Sequence, residues 1–90
     1  MEITFDSAKD AKNIEKHGVS LTLAARLDWS LAVTEADDRF GYGEERLISI
    51  GPIEGRLYVV VFTEREGVRR IISLRKANKR EFRSYEQAIA

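Results

Sequence analysis

The stretch Arg56–Tyr85, RLYVVVFTEREGVRRIISLRKANKREFRSY, decides how this chain folds. It holds the longest β-prone apolar run, Leu57 to Thr63, then Glu66-Gly67, then a second strand pattern from Val68 to Leu74, which together read as a hairpin. Glycine accepts positive φ cheaply, so a two-residue loop at Glu66-Gly67 would oppose Arg65 to Val68, Glu64 to Arg69, Phe62 to Ile71 and Tyr58 to Arg75. Side chains alternate along a strand. Val59, Val61, Ile72 and Leu74 therefore share one expected face, read as core. The other expected face, mixed in character, carries Tyr58, Val60, Phe62, Glu64, Arg69, Ile71, Ser73 and Arg75.

Eight basic residues stand between Arg65 and Arg83 against two acidic ones, Glu66 and Glu81. Formal net charge is zero, yet residues 1–45 carry 5 basic and 10 acidic side chains and residues 46–90 the reverse. This asymmetry points to an anionic ligand for the second half, or to two halves that neutralise each other in the fold.

Working outward, Glu2 to Phe5 alternates as a strand. Asp6 or Ser7 can cap a helix, with Asp10 as capping-box partner to Ser7, and Gly18 can end that helix in αL. Ser20 caps a second short helix carrying Leu23, Ala24 and Leu27, giving an αα-hairpin. Leu31 to Ala36 and Glu45 to Ile50 read as strands around a polar, mobile loop containing Gly41 and Gly43. Gly51 to Gly55 turns the chain back. Asn78 and Glu81 form a capping box for a last helix with Phe82, Tyr85 and Ile89 along its apolar stripe. Lys79 and Arg80 oppose the dipole in its first turn, a local rule broken as functional sites break them.

The expected fold is α+β in a single domain spanning 1–90: an antiparallel sheet of about five strands, an N-terminal αα-hairpin on one face and a C-terminal helix, in the order β-α-α-β-β-β-β-α. A composition of 43% hydrophobic and 33% charged residues with one proline belongs to a folded chain. Without cysteine, disulfides, thiolate metal sites and cysteine nucleophiles are excluded. No run reaches the length of a membrane span, so a cytoplasmic location is expected.

Phe5–Lys9 (FDSAK), Asn13–Ser20 (NIEKHGVS), Gly43–Gly51 (GEERLISIG), Val59–Arg65 (VVVFTER), Arg69–Ala77 (RRIISLRKA) and Arg80–Glu86 (REFRSYE) occur in order along nearly the whole chain. In these pieces the sequence resembles the BrnT toxins of bacterial type II toxin–antitoxin systems, within the RelE/ParE-like group. The resemblance implies a RelE-like fold and a growth-inhibiting ribonuclease neutralised by a BrnA-like antitoxin with a ribbon-helix-helix domain, the pair binding operator DNA through the antitoxin. Two departures touch packing: Asp28–Ala32 (DWSLA) replaces an acidic-proline turn, and the first strand lacks its tryptophan.

RNA cleavage without a metal needs a base for the 2′-hydroxyl, cations for the phosphate and an acid for the leaving 5′ oxygen. Arg75 is the first catalytic candidate, beside Tyr58 in the expected register, followed by Arg69 and Arg70, with His17 as acid or base and Tyr58 as proton donor or base-stacking platform. Each also has a plain structural reading: surface charge for the arginines, a helix-end residue for His17. Arg65, Arg70, Lys76, Lys79 and Arg80 are the RNA-binding candidates. Val60, Phe62 and Ile71 are expected as an exposed apolar patch covered by the antitoxin. No His, Asp and Glu spacing suits a metal, so neither metal nor cofactor is expected. This reading fails if Arg69 and Arg75 point to opposite sides of the sheet, or if both are locked into internal ion pairs away from any groove. An alternative function is an attenuated, non-catalytic toxin acting as an antitoxin-binding co-repressor.

Overall fold

The computed structural model describes residues 2–37 and 45–90; the loop expected around Gly41 and Gly43 falls outside them. Five strands, β1 (Glu2–Thr4), β2 (Val33–Ala36), β3 (Leu47–Ile53), β4 (Arg56–Arg65) and β5 (Val68–Lys76), form one sheet in the order β1-β5-β4-β3-β2. Helix α1 (Ser7–His17) and two 3₁₀ segments, Leu21–Arg26 and Trp29–Leu31, precede β2, and α2 (Lys79–Ile89) closes the chain. The α+β class and element order follow the sequence reading. The all-antiparallel expectation does not hold, because β1 pairs parallel to β5, a pairing that the long helical connection after β1 permits.

β4 lies at the centre of the sheet, which explains its unbroken apolar run: a strand covered on both sides does not alternate. The two β4 turns are two-residue loops with both φ values positive, Glu54 (49°) and Gly55 (81°), then Glu66 (53°) and Gly67 (79°). Such I′ geometry matches strand twist. The first turn is tighter than expected, since Gly51 to Ile53 belongs to β3.

The β4–β5 hairpin starts in the expected register, Arg65 opposite Val68, Glu64 opposite Arg69 and Phe62 opposite Ile71. A β-bulge then breaks it. Val61 opposes Ser73, not Ile72, so Tyr58 pairs with Lys76 and Val59 with Arg75. One extra residue moves every later side chain to the opposite face. The bulge lets Ile71 and Leu74, three apart in sequence, both enter the core, where they are 1% and 0% exposed.

The main core is consequently the face of Tyr58, Val60 and Phe62, packed with Ile71, Leu74, Leu21, Ala24, Leu27 and Ile53. This is the parity opposite to the expected core face of Val59, Val61 and Ile72. Leu21, Ala24 and Leu27 explain the correction: they recur every third residue, the period that lines up on one side of a 3₁₀ helix, and all three are buried against the sheet. The second helix of the expected αα-hairpin is thus a 3₁₀ segment, capped by Ser20 as expected. Burying side chains the size of Phe62 or Leu74 contributes about 2 kcal/mol each.

Helix α1 begins at Asp6, which accepts from the Ala8 amide, and ends at Gly18 in αL with φ 75°. Asp10 does not complete a capping box. Its carboxylate instead accepts from Ser20 Oγ at 2.9 Å and the Leu21 amide at 2.7 Å, tying α1 to the 3₁₀ segment. Asn13, buried in α1, treats β5 as a neighbouring strand would: its Nδ2 donates to the Leu74 carbonyl at 2.8 Å and its Oδ1 accepts the Leu74 amide at 3.1 Å. Beyond Arg70, where β1 pairing stops, Asn13 therefore satisfies the sheet edge.

Candidate active site

The face opposite the main core carries Val59 and Val61 at its centre, Ile48 and Ile50 on β3, Val33 and Glu35 on β2, and Ser73 and Arg75 on β5. α2 lies over its β2–β3 side. There Arg80, Glu81, Ser84, Tyr85 and Ala88 line a hollow of about 280 Å³ with Val33, Glu35, Ile48 and Ile50. The Tyr85 hydroxyl donates to the Leu31 carbonyl at 2.7 Å and fixes the helix's middle turn. The Asn78–Glu81 capping box is formed as expected.

Glu81 does more than cap. Its carboxylate receives both terminal nitrogens of Arg75, at 2.8 and 2.7 Å, a fork-to-fork pair that holds the guanidinium in one orientation. The Arg75 side chain retains 33% of its surface in solvent. It is positioned yet reachable.

His17 lies at the end of α1 on the β5 side, lining with Lys9, Lys12, Asn13, Lys16, Ile72 and Ser73 an open hollow of about 210 Å³. Its pKa lies below the usual 6.5, chiefly from partial burial, then from the positive charges of Lys16 and Arg75. The bulge brings Ser73 and Arg75 to this side of β5. His17 and Ser73 thus line one hollow, and Arg75 follows Ser73 on the same face of β5, within reach for its charge to act on His17. At neutral pH the imidazole is uncharged and can accept a proton, next to a guanidinium that can hold an anion.

Arg69 is elsewhere. It shares the face of Phe62, where its guanidinium lies 4.2 Å from the Trp29 ring centroid and 5.3 Å from that of Phe62, and its Nε donates to Glu64 at 3.3 Å. Trp29 meets Phe62 edge to face at 5.2 Å. The arrangement is a cation–π clamp over the core. The condition that Arg69 and Arg75 share one side is not met, and a site using both fails with it.

Tyr58 is also displaced from the expected site: it is 8% exposed, on the core face, opposite Lys76. It neither adjoins Arg75 nor offers a surface for stacking bases. Val60, Phe62 and Ile71 are at most 1% exposed, so they are core residues and form no exposed patch; the 3₁₀ segment covers the face expected to be bare. Large exposed apolar residues among those described are Ile14, Leu31, Phe82 and Ile89.

Among the RNA-binding candidates, Arg65 and Arg70 line a hollow at the hairpin tip with Thr63, Glu66 and Val68, on the same side as Arg75. Lys76 is exposed but belongs to the Tyr58 parity. Lys79 and Arg80 are exposed at the start of α2. Lys9, Lys12 and Lys16 are not among the RNA-binding candidates of the sequence, where Lys16 reads as a cation suited to the end of α1. Their spacing of three and four residues was the available signal, since it places them along one side of a helix.

Among the described residues no helix is long and apolar enough to cross a membrane. Comparison with curated proteins finds no match to the chain. The family described as ribonuclease toxin, BrnT, of type II toxin–antitoxin system matches residues 5–81.

Proposed function

Since the chain belongs to the BrnT family of type II toxin–antitoxin ribonuclease toxins, we propose that it cleaves RNA by attack of a 2′-hydroxyl on the adjacent phosphate, without a metal ion. The observation that carries this reading is that His17 and Ser73 line one open hollow, while Arg75, on the same face of β5 as Ser73, presents an oriented and partly exposed guanidinium. His17 removes the 2′-hydroxyl proton as the oxygen bonds to phosphorus. Arg75 stabilises the charge that builds on the phosphoryl oxygens. The P–O5′ bond breaks, and the leaving oxygen takes a proton from solvent, because Tyr58 is buried on the far side of the sheet. The products are a 2′,3′-cyclic phosphate and a 5′-hydroxyl. Arg65, Arg70, Lys79 and Arg80 hold flanking phosphates.

The partner is an antitoxin of the BrnA-like ribbon-helix-helix kind, through which alone the pair reaches operator DNA; family membership supports this assignment. A second reading, an attenuated toxin acting as co-repressor, is favoured by one observation: Glu81 already fills the Arg75 fork that a phosphate needs.

Incubating the purified protein with single-stranded RNA in excess chelator separates the two. The ribonuclease reading expects 2′,3′-cyclic phosphate ends from the wild type and at least about a hundredfold slower cleavage by His17→Gln, the loss of one acid–base group. RNA left intact by the wild type supports the co-repressor reading. Cleavage by His17→Gln at the wild-type rate removes His17 from the mechanism.

A further inference from the structure

Lys9, Lys12 and Lys16 follow each other along α1 at spacings of three and four, and all three line the hollow that contains His17 and Ser73. From Lys9 to Lys16 the helix rises about 10 Å. No acidic side chain lines this hollow. None of the three lysines makes an ion pair with a described residue. Of the carboxylates near the row, Asp6 accepts from the Ala8 amide and Asp10 from Ser20 and Leu21, while Glu15, the other acidic residue of α1, does not line the hollow.

Of the three, Lys16 in the last turn suits the helix dipole, and the other placements do not. Lys9 stands in the first turn, near the positive end of the dipole, and Lys12 and Lys16 are like charges four apart; each placement costs an isolated helix some tenths of a kcal/mol. Their number and direction make sense toward a polyanion. The row ends beside His17, which lines the same hollow and whose pKa Lys16 and Arg75 lower further after burial does.

We propose that Lys9, Lys12 and Lys16 form a track for the sugar–phosphate backbone of single-stranded RNA, leading along α1 into the Arg75–His17 site. The track rests on the ribonuclease reading and extends it, by assigning the substrate's path to a helix rather than to the hairpin arginines alone. Contacts made through phosphates bring salt dependence without base preference.

Fluorescence anisotropy with a labelled, fully 2′-O-methylated RNA oligomer, which binds but cannot be cleaved this way, measures affinity across a potassium chloride series. Each phosphate contact on a single strand contributes about 0.7 to the slope of log K against log salt, so Lys9→Gln/Lys12→Gln/Lys16→Gln should lower its magnitude by about 2. A control triple, Arg26→Gln/Arg56→Gln/Arg83→Gln, removes equal charge elsewhere and should leave the slope unchanged. Equal losses in both triples, or no loss in the lysine triple, overturn the track. Wild-type protein that fails to bind overturns it also. Cleavage of unmodified RNA is scored separately: a lysine-dependent slope without cleavage keeps the track and removes the ribonuclease reading, whereas cleavage with an unmoved slope does the reverse.

Discussion

Replacing Asn13 by alanine removes the joint between α1 and the sheet. The side chain donates to Leu74 O at 2.8 Å and Val19 O at 2.9 Å and accepts from Leu74 N at 3.1 Å. Val19 is half-buried, so water can replace its lost donor. Leu74 is fully buried, and its amide and carbonyl are both stranded. A buried backbone group without a partner costs about 1–3 kcal/mol, and two of them, eased by water entering the vacated space, cost about 3 kcal/mol together. A domain of this size is stable by only about 5–10 kcal/mol, and each kcal/mol lowers Tm by roughly 4–8 °C, so a fall of about 12–24 °C is expected. Urea unfolding followed by circular dichroism should show a lower midpoint with an unchanged m-value. Asn13→Asp keeps the shape but faces two carbonyls with an acceptor. Its penalty should be at least as large at pH 7 and shrink toward pH 4, as protonation restores a donor. A loss below about 1 kcal/mol for Asn13→Ala would refute the claim that this residue closes the sheet edge.

Three further outcomes follow from other contacts. A Cβ on Gly51 would meet Ala32 Cβ and Leu27 Cδ1 at 3.1 Å, so Gly51→Ala should cost about 1–3 kcal/mol in the same unfolding assay. His17 is the chain's single histidine, so its imidazole can be titrated by NMR; Lys16→Gln should raise its pKa toward 6.5. Because the folded value lies below 6.5, the unfolded chain protonates first, and His17's contribution to stability, full above pH 6.5, is lost as pH falls through the folded pKa; His17→Gln should flatten that part of the stability curve. Glu81→Gln removes the anion that holds Arg75 and should tighten binding of the methylated RNA while costing about 1 kcal/mol of stability through the weakened α2 cap.

The hairpin, its Glu66-Gly67 turn, the Asn78 cap and the Gly18 helix end were all legible in the sequence, because each depends on residues within a few positions of one another. The bulge was not. Ile71, Ile72 and Ser73 are all at ease in a strand, and what selects Ile72 as the extra residue is tertiary: Ile71 and Leu74 must both reach the same core. The visible trace is that apolar pair at a spacing of three, out of phase with a period of two. Missing it moved Arg75 beside Tyr58 and misassigned the core face. The covering element was misread for a related reason. Leu21, Ala24 and Leu27 keep a 3₁₀ period, but the helix pattern drew attention to Leu23 instead.

The parallel pairing of β1 lay further out of reach, since three residues carry no orientation signal of their own. The arrangement of the candidate residues was not legible in the sequence. Arg75 and His17 were both named, although the contact between α1 and β5 that brings them together depends on Asn13, 61 residues away from Leu74 in sequence. Arg69 illustrates the opposite case. An arginine in a basic run invites a phosphate, but here Trp29 and Phe62 give it an aromatic seat and Glu64 a counter-charge.

The separation of the two arginines by the sheet is where the account is most exposed to test, through the initial rate of RNA cleavage in chelator, per folded molecule, for Arg75→Gln and Arg69→Gln. Arg75→Gln is expected to lose at least about a hundredfold, as removal of a donor to the reacting oxygens does. Arg69→Gln should lower thermal stability and leave cleavage by the folded fraction at the wild-type rate. Equal loss in both variants, or full activity in Arg75→Gln, would contradict it.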